Sequence, residues 1–154
     1  MDASLDATDR RILHVLQREG RITNAELSDR VNLSPSACHR RVQRLEEDGY
    51  IARYVALLDT RKIGKPTTVY VEITLQGQAD ELLDAFEREV ARVPDILECH
   101  LMAGQADYLL KIMAEDTEDF ARIHRQYLSR LPGVRQMHSS FALRTVVQTT
   151  ALSV

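Results

Sequence analysis

The sequence predicts an α+β protein built from two small domains, and three features of its 154 residues support this. Three short helices with recognisable caps occupy residues 6–49. A polar stretch containing Gly64 and Pro66 then interrupts the hydrophobic pattern. Beyond it, strand and helix periods follow in the order β-α-β-β-α-β. We therefore expect a first domain at residues 1–59, a linker at 60–66 and a second domain at 67–154.

The first two helices are marked by their capping residues. Asp6 can cap a helix that ends near Gly20, with its apolar residues on one face. Thr23 and Glu26 have the spacing of a capping box, in which each side chain bonds the other residue's backbone N–H. The second helix is short and ends before Asn32.

The third helix begins at Ser34 and Pro35, because serine is a good N-cap and proline is tolerated at the first helical position. Its apolar positions, Cys38, Val42 and Leu45, recur at helical spacing. A small buried thiol is the expected state of Cys38. The opposite face is basic, because the segment from Ser34 to Leu45 contains three arginines and a histidine but no acid.

A pair of helices joined by a very short turn, with arginine and small polar residues on the second, is the arrangement that enters the DNA major groove. Residues 50–58 are rich in β-forming residues and suit a strand or a short wing, which makes this a winged helix-turn-helix. Taken alone, the third helix could equally be a solvated surface. Arg41, at the edge of the apolar face, suits packing or an ion pair as well as a phosphate contact. The residues predicted to contact DNA are Ser34, Ser36, Ala37, His39, Arg40, Gln43 and Arg44.

The second domain is predicted to be a ferredoxin-like sandwich. Alternating apolar residues from Val69 to Leu75 indicate a strand, and residues 82–90 a helix. Strands are expected at 96–102 and 108–113, then a helix ending at Pro132-Gly133 and a strand at 134–141. Two helices cover only one face of such a sheet. The other face, partly apolar around Tyr70, is expected to mediate self-association.

Composition narrows the class of protein. A net charge of −3 excludes a global positive field, so any DNA contact must come from a local patch. The first six residues do not resemble a secretion signal, and no stretch is apolar for the roughly 18 residues of a membrane span. We expect a cytoplasmic protein that does not contact membranes. Cys38 and Cys99 are too far apart for a CxxC pair, and no cofactor is expected.

The segment from Met102 to Tyr108 is the second candidate site. It places Gly104 and Asp107 in a turn between two strands, where a carboxylate could bind an ammonium group and free N–H groups a carboxylate. An amino acid is a ligand of that kind. If Gly104 needs a positive φ, a side chain there would damage the pocket. The alternative is a tight hairpin in which Asp107 only forms the turn.

A stand-alone amino-acid-binding module and an enzyme are the competing functions, since ferredoxin-like folds also host catalysis. The basic third helix argues against the module. The five histidines are scattered, without HExxH, GxSxG or a phosphate-binding glycine loop. Cys99 and His100 are adjacent on a strand and would point to opposite faces, so a shared metal is not expected. We expect no catalytic residues.

Motifs along the whole chain resemble the Lrp/AsnC regulators, also called feast/famine regulatory proteins. They include LDATDRRIL at 5–13, RVQRLE at 41–46, GYI at 49–51, MAGQADYLL at 102–110 and LPGV at 131–134. The resemblance implies a transcriptional regulator with a C-terminal RAM/ACT-like domain that binds an amino acid or a related small molecule. It further implies homodimers that assemble into tetramers or octamers and act in the nucleoid. The residues expected to bind the effector are Met102, Ala103, Gly104, Asp107, Tyr108 and Ser140.

Overall fold

The computed structural model describes residues 5–154, which form two compact units. One unit is the chain up to Leu57 together with Val147–Val154, and the other is Leu58–Val146. The last eight residues, which the sequence analysis assigned to the second domain, thus group with the first unit. Residues 1–4, part of the segment on which the expected lack of a secretion signal rests, lie outside the described residues.

The first unit contains α1 (Ala7–Leu16), α2 (Asn24–Val31) and α3 (Pro35–Glu47). All three predicted caps are confirmed. Asp6 forms a capping box with Asp9, Thr23 forms one with Glu26, and the Ser34 hydroxyl accepts the Ala37 N–H. The helices enclose a small core that consists of Ile12, Leu27, Val31, Cys38 and Leu45.

The turn between α2 and α3 is short and well bonded. Asn32 ends α2 in the left-handed conformation with a φ of 56°, which asparagine tolerates better than most residues. The Leu33 N–H donates to the Ser28 carbonyl at 2.9 Å, and the Asn24 side chain donates to the Pro35 carbonyl at 2.8 Å. These bonds fix the start of α3 against α2, as a helix-turn-helix requires.

The strand or wing predicted for residues 50–58 is not formed as a strand. The segment is irregular, and within residues 5–154 it has no strand partner. A strand needs a neighbouring backbone to bond its N–H and C=O groups, so β-forming residues alone do not make one. Val55, Leu57 and Leu58 are left with exposed side chains.

The second unit is a four-stranded antiparallel sheet with strand order β2-β3-β1-β4. Its elements are β1 (Thr67–Leu75), α4 (Asp80–Val90), β2 (Ile96–Leu101), β3 (Tyr108–Ala114), α5 (Thr117–Gln126) and β4 (Val134–Phe141). This order and connectivity confirm the ferredoxin-like fold. The last helix is shorter than predicted, because the backbone leaves helical geometry at Tyr127 and a 3-10 turn, Leu128–Arg130, follows.

One face of the sheet carries the core and the other is open. The alternating positions of β1 that begin with Val69, together with those of β3 that begin with Tyr108, are buried against the rest of the unit. The opposite positions carry Tyr70 and Glu72 on β1 and Lys111 on β3. The open face is therefore mixed apolar and charged, because the valines and isoleucine of β1 all face the core.

Lys65 anchors the start of the second unit. Its Nζ lies 3.1 Å from the Asp119 carboxylate and 3.5 Å from that of Asp95, and Arg122 also pairs with Asp119. The backbone N–H of Glu115 and these two cations lower the pKa of Asp119 to about 2. None of the helices described here is long and apolar enough to cross a membrane.

Candidate nucleic-acid interface and ligand site

The predicted DNA-contacting residues share one surface of α3. Ser36, His39, Arg40 and Gln43 are exposed, whereas Cys38 and Leu45 on the opposite side are fully buried. Ser34 and Ala37 lie at the N-terminus of the helix, where the Ser34 hydroxyl is already used as the N-cap. The buried stripe thus orients the polar residues outwards as the helical spacing predicts.

The three arginines of α3 differ in their partners. Arg41 donates to Asp6 at 2.7 Å and to Asp9 at 2.8 Å, and Arg44 donates to the other oxygen of Asp9. The Asp9 side chain is only 1% exposed, so this carboxylate is neutralised inside the unit. Within residues 5–154, no acceptor bonds Arg40.

These contacts change the roles expected from the sequence. Arg41 takes the ion-pair role that the sequence analysis left open, and its pKa is raised by Asp6 and Asp9. Arg44, which is predicted to contact DNA, also pairs with Asp9, because the start of α1 packs against this part of α3. Its side chain is still 44% exposed. Of the three arginines of α3, Arg40 is the one whose guanidinium has no acceptor within residues 5–154.

The outward surface of α3 is concave as well as basic. Arg40, Arg41, Gln43, Arg44 and Glu47 line a depression of about 420 Å³. Arg41 and Arg44 are paired with Asp6 and Asp9, so Arg40 is the lining cation that remains available to a phosphate backbone, although the chain as a whole is acidic. The glutamine adds an amide that can both donate to and accept from base edges.

The second candidate site is the loop that joins β2 to β3. Asp107 anchors it through both carboxylate oxygens, which accept the Leu75 N–H at 2.7 Å and the Gln78 amide at 3.0 Å. Its backbone bonds Met102 and Ile73. The Leu75 N–H, followed by Gln78, lowers the pKa of Asp107. These hydrogen bonds are the ones expected of a turn-forming carboxylate, the alternative left open for Asp107.

Two other predicted ligand residues are kept from this loop, one by its orientation and one by its position along the sheet. Tyr108 is 1% exposed, because it occupies a core-facing position of β3, stacks on Phe86 and donates its hydroxyl to Glu87. Ser140 pairs with Tyr70 across the sheet, four residues from Thr74 and thus about 13 Å from the loop end of β1. The register of β4 separates Ser140 from the loop within one chain.

Gly104 does not need the conformation expected of it. Its φ lies outside the left-handed region, and a Cβ at this position would meet nothing within 4 Å. Met102, Ala103 and Gly104 are exposed. Across residues 5–154, the N–H groups of residues 103–106 find no hydrogen-bond acceptor. The loop thus presents a set of free backbone donors.

A polar cavity of about 250 Å³ lies where this loop meets the open face of the sheet. It is lined by Glu72, Thr74, Gln105, Ala106, Gln136 and His138. Gln105 and Ala106 lie in the segment predicted from the sequence, although they were not among the expected ligand residues. The four strand residues were not predicted, although alternation along β1 and β4 places 72, 74, 136 and 138 on one face. The cavity combines one carboxylate, two side-chain amides and the loop N–H groups, which suits a small zwitterion.

The cysteine and histidine side chains form no shared site in the described part of the chain. Cys38 is buried in the first unit, and desolvation raises the pKa of its thiol. Cys99 packs against the core of the second unit, while the adjacent His100 is exposed and bonds Glu98. Their opposite orientation is the one predicted from strand geometry. No cluster suited to a metal ion occurs among residues 5–154.

Comparison with known proteins covers both units. A family model described as the Lrp/AsnC ligand binding domain matches residues 68–152, and a winged helix-turn-helix DNA-binding model matches residues 5–52. The leucine-responsive regulatory protein of Escherichia coli strain K12 is 42% identical over 148 residues, which are 96% of this chain and 90% of that protein.

Solved structures agree with these matches. A transcriptional regulator from Neisseria meningitidis, crystallised with L-Met, has a TM-score of 0.92 and 37% identity, covering 97% of this chain and 96% of its own. An AsnC family transcriptional regulator from Agrobacterium tumefaciens has a TM-score of 0.92 and 35% identity, covering 96% of each chain.

Proposed function

Because this chain belongs to the Lrp/AsnC family of DNA-binding transcriptional regulators, we propose that it reads DNA with α3 and responds to an amino acid bound beside the 102–107 loop. The observation that carries the DNA-reading role is the exposed face of α3, with Arg40 unpaired and Gln43 beside it. A two-fold dimer would place two such helices in successive major grooves, about 34 Å apart.

Each residue of this face has a distinct part. Arg40 neutralises a phosphate, because its guanidinium has no competing partner in the chain. Gln43 reads a base edge, and His39 and Ser36 add further polar contacts. Arg41 and Arg44 stay on Asp9 and hold α3 against α1.

A mobility-shift titration at several salt concentrations tests these roles. Arg40→Ala should weaken binding to all sequences and lower the slope of log K against log salt by about one. Gln43→Ala should change sequence preference more than affinity. Arg88→Ala, which removes an exposed arginine from α4, is the matched control for charge. An unchanged slope in Arg40→Ala would remove α3 from the proposed role.

The ligand proposal rests on the cavity beside the loop. The Neisseria meningitidis relative was crystallised with L-Met, and we infer that this chain also takes an amino acid. The free N–H groups of the loop bind its carboxylate. Glu72 binds its ammonium group, because its carboxylate lines the cavity, whereas that of Asp107 is engaged by Leu75 and Gln78 and does not line it.

Calorimetric titration of an amino-acid panel, including L-methionine and L-leucine, tests the site. Glu72→Gln should weaken the best ligand by about 1.5–3 kcal/mol, as expected for the loss of a charged hydrogen bond. Glu81→Gln, at an exposed acid on α4, is the matched control. Gly104→Val should leave affinity nearly intact, since the position has room. If Glu72→Gln binds like wild type while Asp107→Ala does not, the ammonium lies on Asp107.

The proposed assembly, location and lack of catalysis are those of a DNA-binding regulator that responds to an amino acid. The chain forms dimers and larger assemblies, acts on the chromosome in the cytoplasm and catalyses no reaction. The mixed open face of the sheet around Tyr70 and Lys111 supports self-association.

A further inference from the structure

The C-terminal segment Val147–Val154, which groups with the first unit, is hydrogen-bonded by a side chain of α1's C-cap. Gln17, the C-cap residue of α1, donates its amide Nε2 to the Leu152 carbonyl at 2.7 Å. Its Oε1 accepts the Leu152 N–H, also at 2.7 Å. A side-chain amide that bonds both polar groups of one peptide residue recognises the backbone as a neighbouring β-strand would.

The segment lies along an apolar groove. Leu13 and Leu16 of α1 and Ile51 and Tyr54 beyond α3 line it, together with Leu152, and about 220 Å³ remains unfilled. The residues of 142–150 are all exposed, whereas the next one, Ala151, is half-buried. The Leu152 side chain itself is 73% exposed. The hydrogen bonds of the segment to Gln17 are thus made by the backbone of Leu152, and Val154 also lines the groove.

We propose that this groove is a binding surface for the chain's own C-terminal segment, and that Gln17 selects the segment through the backbone of Leu152 rather than through its side chain. The segment follows β4, so the chain crosses between the two units twice, after Leu57 and after Val146. The docked segment and α1 both belong to the first unit. This binding role goes beyond the proposed function and does not require DNA or a ligand.

Hydrogen exchange of the residue 152 amide in the full chain, followed by NMR, tests the docking. The wild-type amide should be protected. Gln17→Met keeps the length of the side chain but forms neither bond, so protection should fall about tenfold or more, as expected for two hydrogen bonds of ordinary net strength. Unchanged protection of the Ile12 amide would show that α1 is still folded.

Leu152→Ala is the matched control, because it keeps the backbone and removes the exposed side chain. Its residue 152 amide should keep wild-type protection. The proposal is overturned if the wild-type amide exchanges as in an unstructured peptide, or if Gln17→Met leaves protection unchanged. A loss in Leu152→Ala as large as that in Gln17→Met would refute selection through the backbone. Protection that disappears when the protein is diluted would also overturn the proposal, because the docked segment would then come from a second copy.

Discussion

Asp9 is the residue whose replacement should reveal how α3 is held in place. Its carboxylate is 1% exposed and accepts hydrogen bonds from Arg41, Arg44 and the Asp6 N–H. Asp9→Asn keeps the size of the side chain but removes the charge. Removing one partner of a buried ion pair costs about 3–5 kcal/mol.

The loss at Asp9 should be smaller than that upper range. Arg41 and Arg44 are 32% and 44% exposed, so water can solvate them, and Arg41 keeps its contact with Asp6. We expect Asp9→Asn to lower the free energy of unfolding by about 2 kcal/mol. With the urea dependence typical of small domains, the midpoint should move by about 1 M.

Urea unfolding followed by circular dichroism is the suitable assay, because the chain contains no tryptophan. Asp29→Asn is the matched control, since it makes the same chemical change at an exposed position of α2. It should shift the midpoint by less than a quarter as much. A midpoint for Asp9→Asn equal to that of Asp29→Asn would refute the idea that Asp9 holds the two arginines of α3.

The remaining predictions concern the second unit. Gly133→Ala should lower the free energy of unfolding by about 2 kcal/mol, because φ is 70° and the new Cβ would clash with the Leu82 side chain. Gly64→Ala, with φ 77° and no neighbour within 4 Å, should lose only about 1 kcal/mol, and equal losses in thermal melts would contradict the clash. The pKa of Asp119 is about 2, against 3.8 for an unperturbed aspartate, so its stabilising effect is present above pH 3.8 and is lost as the pH falls towards 2. The melting temperature of Asp119→Asn should therefore depend less on acid pH than that of the wild type. Tyr70→Arg adds a cation opposite Lys111 on the open face and should reduce the oligomer seen by light scattering, and a monomeric wild type would contradict the assigned interface.

The sequence predicted the features that depend on local chemistry. Capping residues located the three helices of the first unit, and hydrophobic alternation located the strands. The pairing of Asp9 with Arg44 was not predictable in this way, because the two residues are 35 positions apart and only tertiary packing brings them together. The docking of Leu152 on Gln17, across 135 positions, has the same origin.

The ligand site shows the same limit. The pattern around Gly104 and Asp107 correctly indicated a turn, but not that the Asp107 oxygens would bond Leu75 and Gln78. The strand predicted at residues 50–58 also failed for a non-local reason, since a strand depends on a partner that local sequence does not specify.

Sequencing of genomic fragments bound by the purified protein, with and without L-methionine or L-leucine, tests whether the protein reads specific DNA sites and responds to an amino acid. The bound fragments should be enriched in two-fold symmetric sites whose halves lie about one helical turn apart. The amino acid to use is one that binds the wild-type protein but binds Glu72→Gln more weakly. It should redistribute the wild-type protein among its DNA sites and leave the occupancy of the variant unchanged. Wild-type occupancy that shows no sequence preference and does not change with any amino acid tested would contradict both the DNA-reading role of α3 and the response to a ligand.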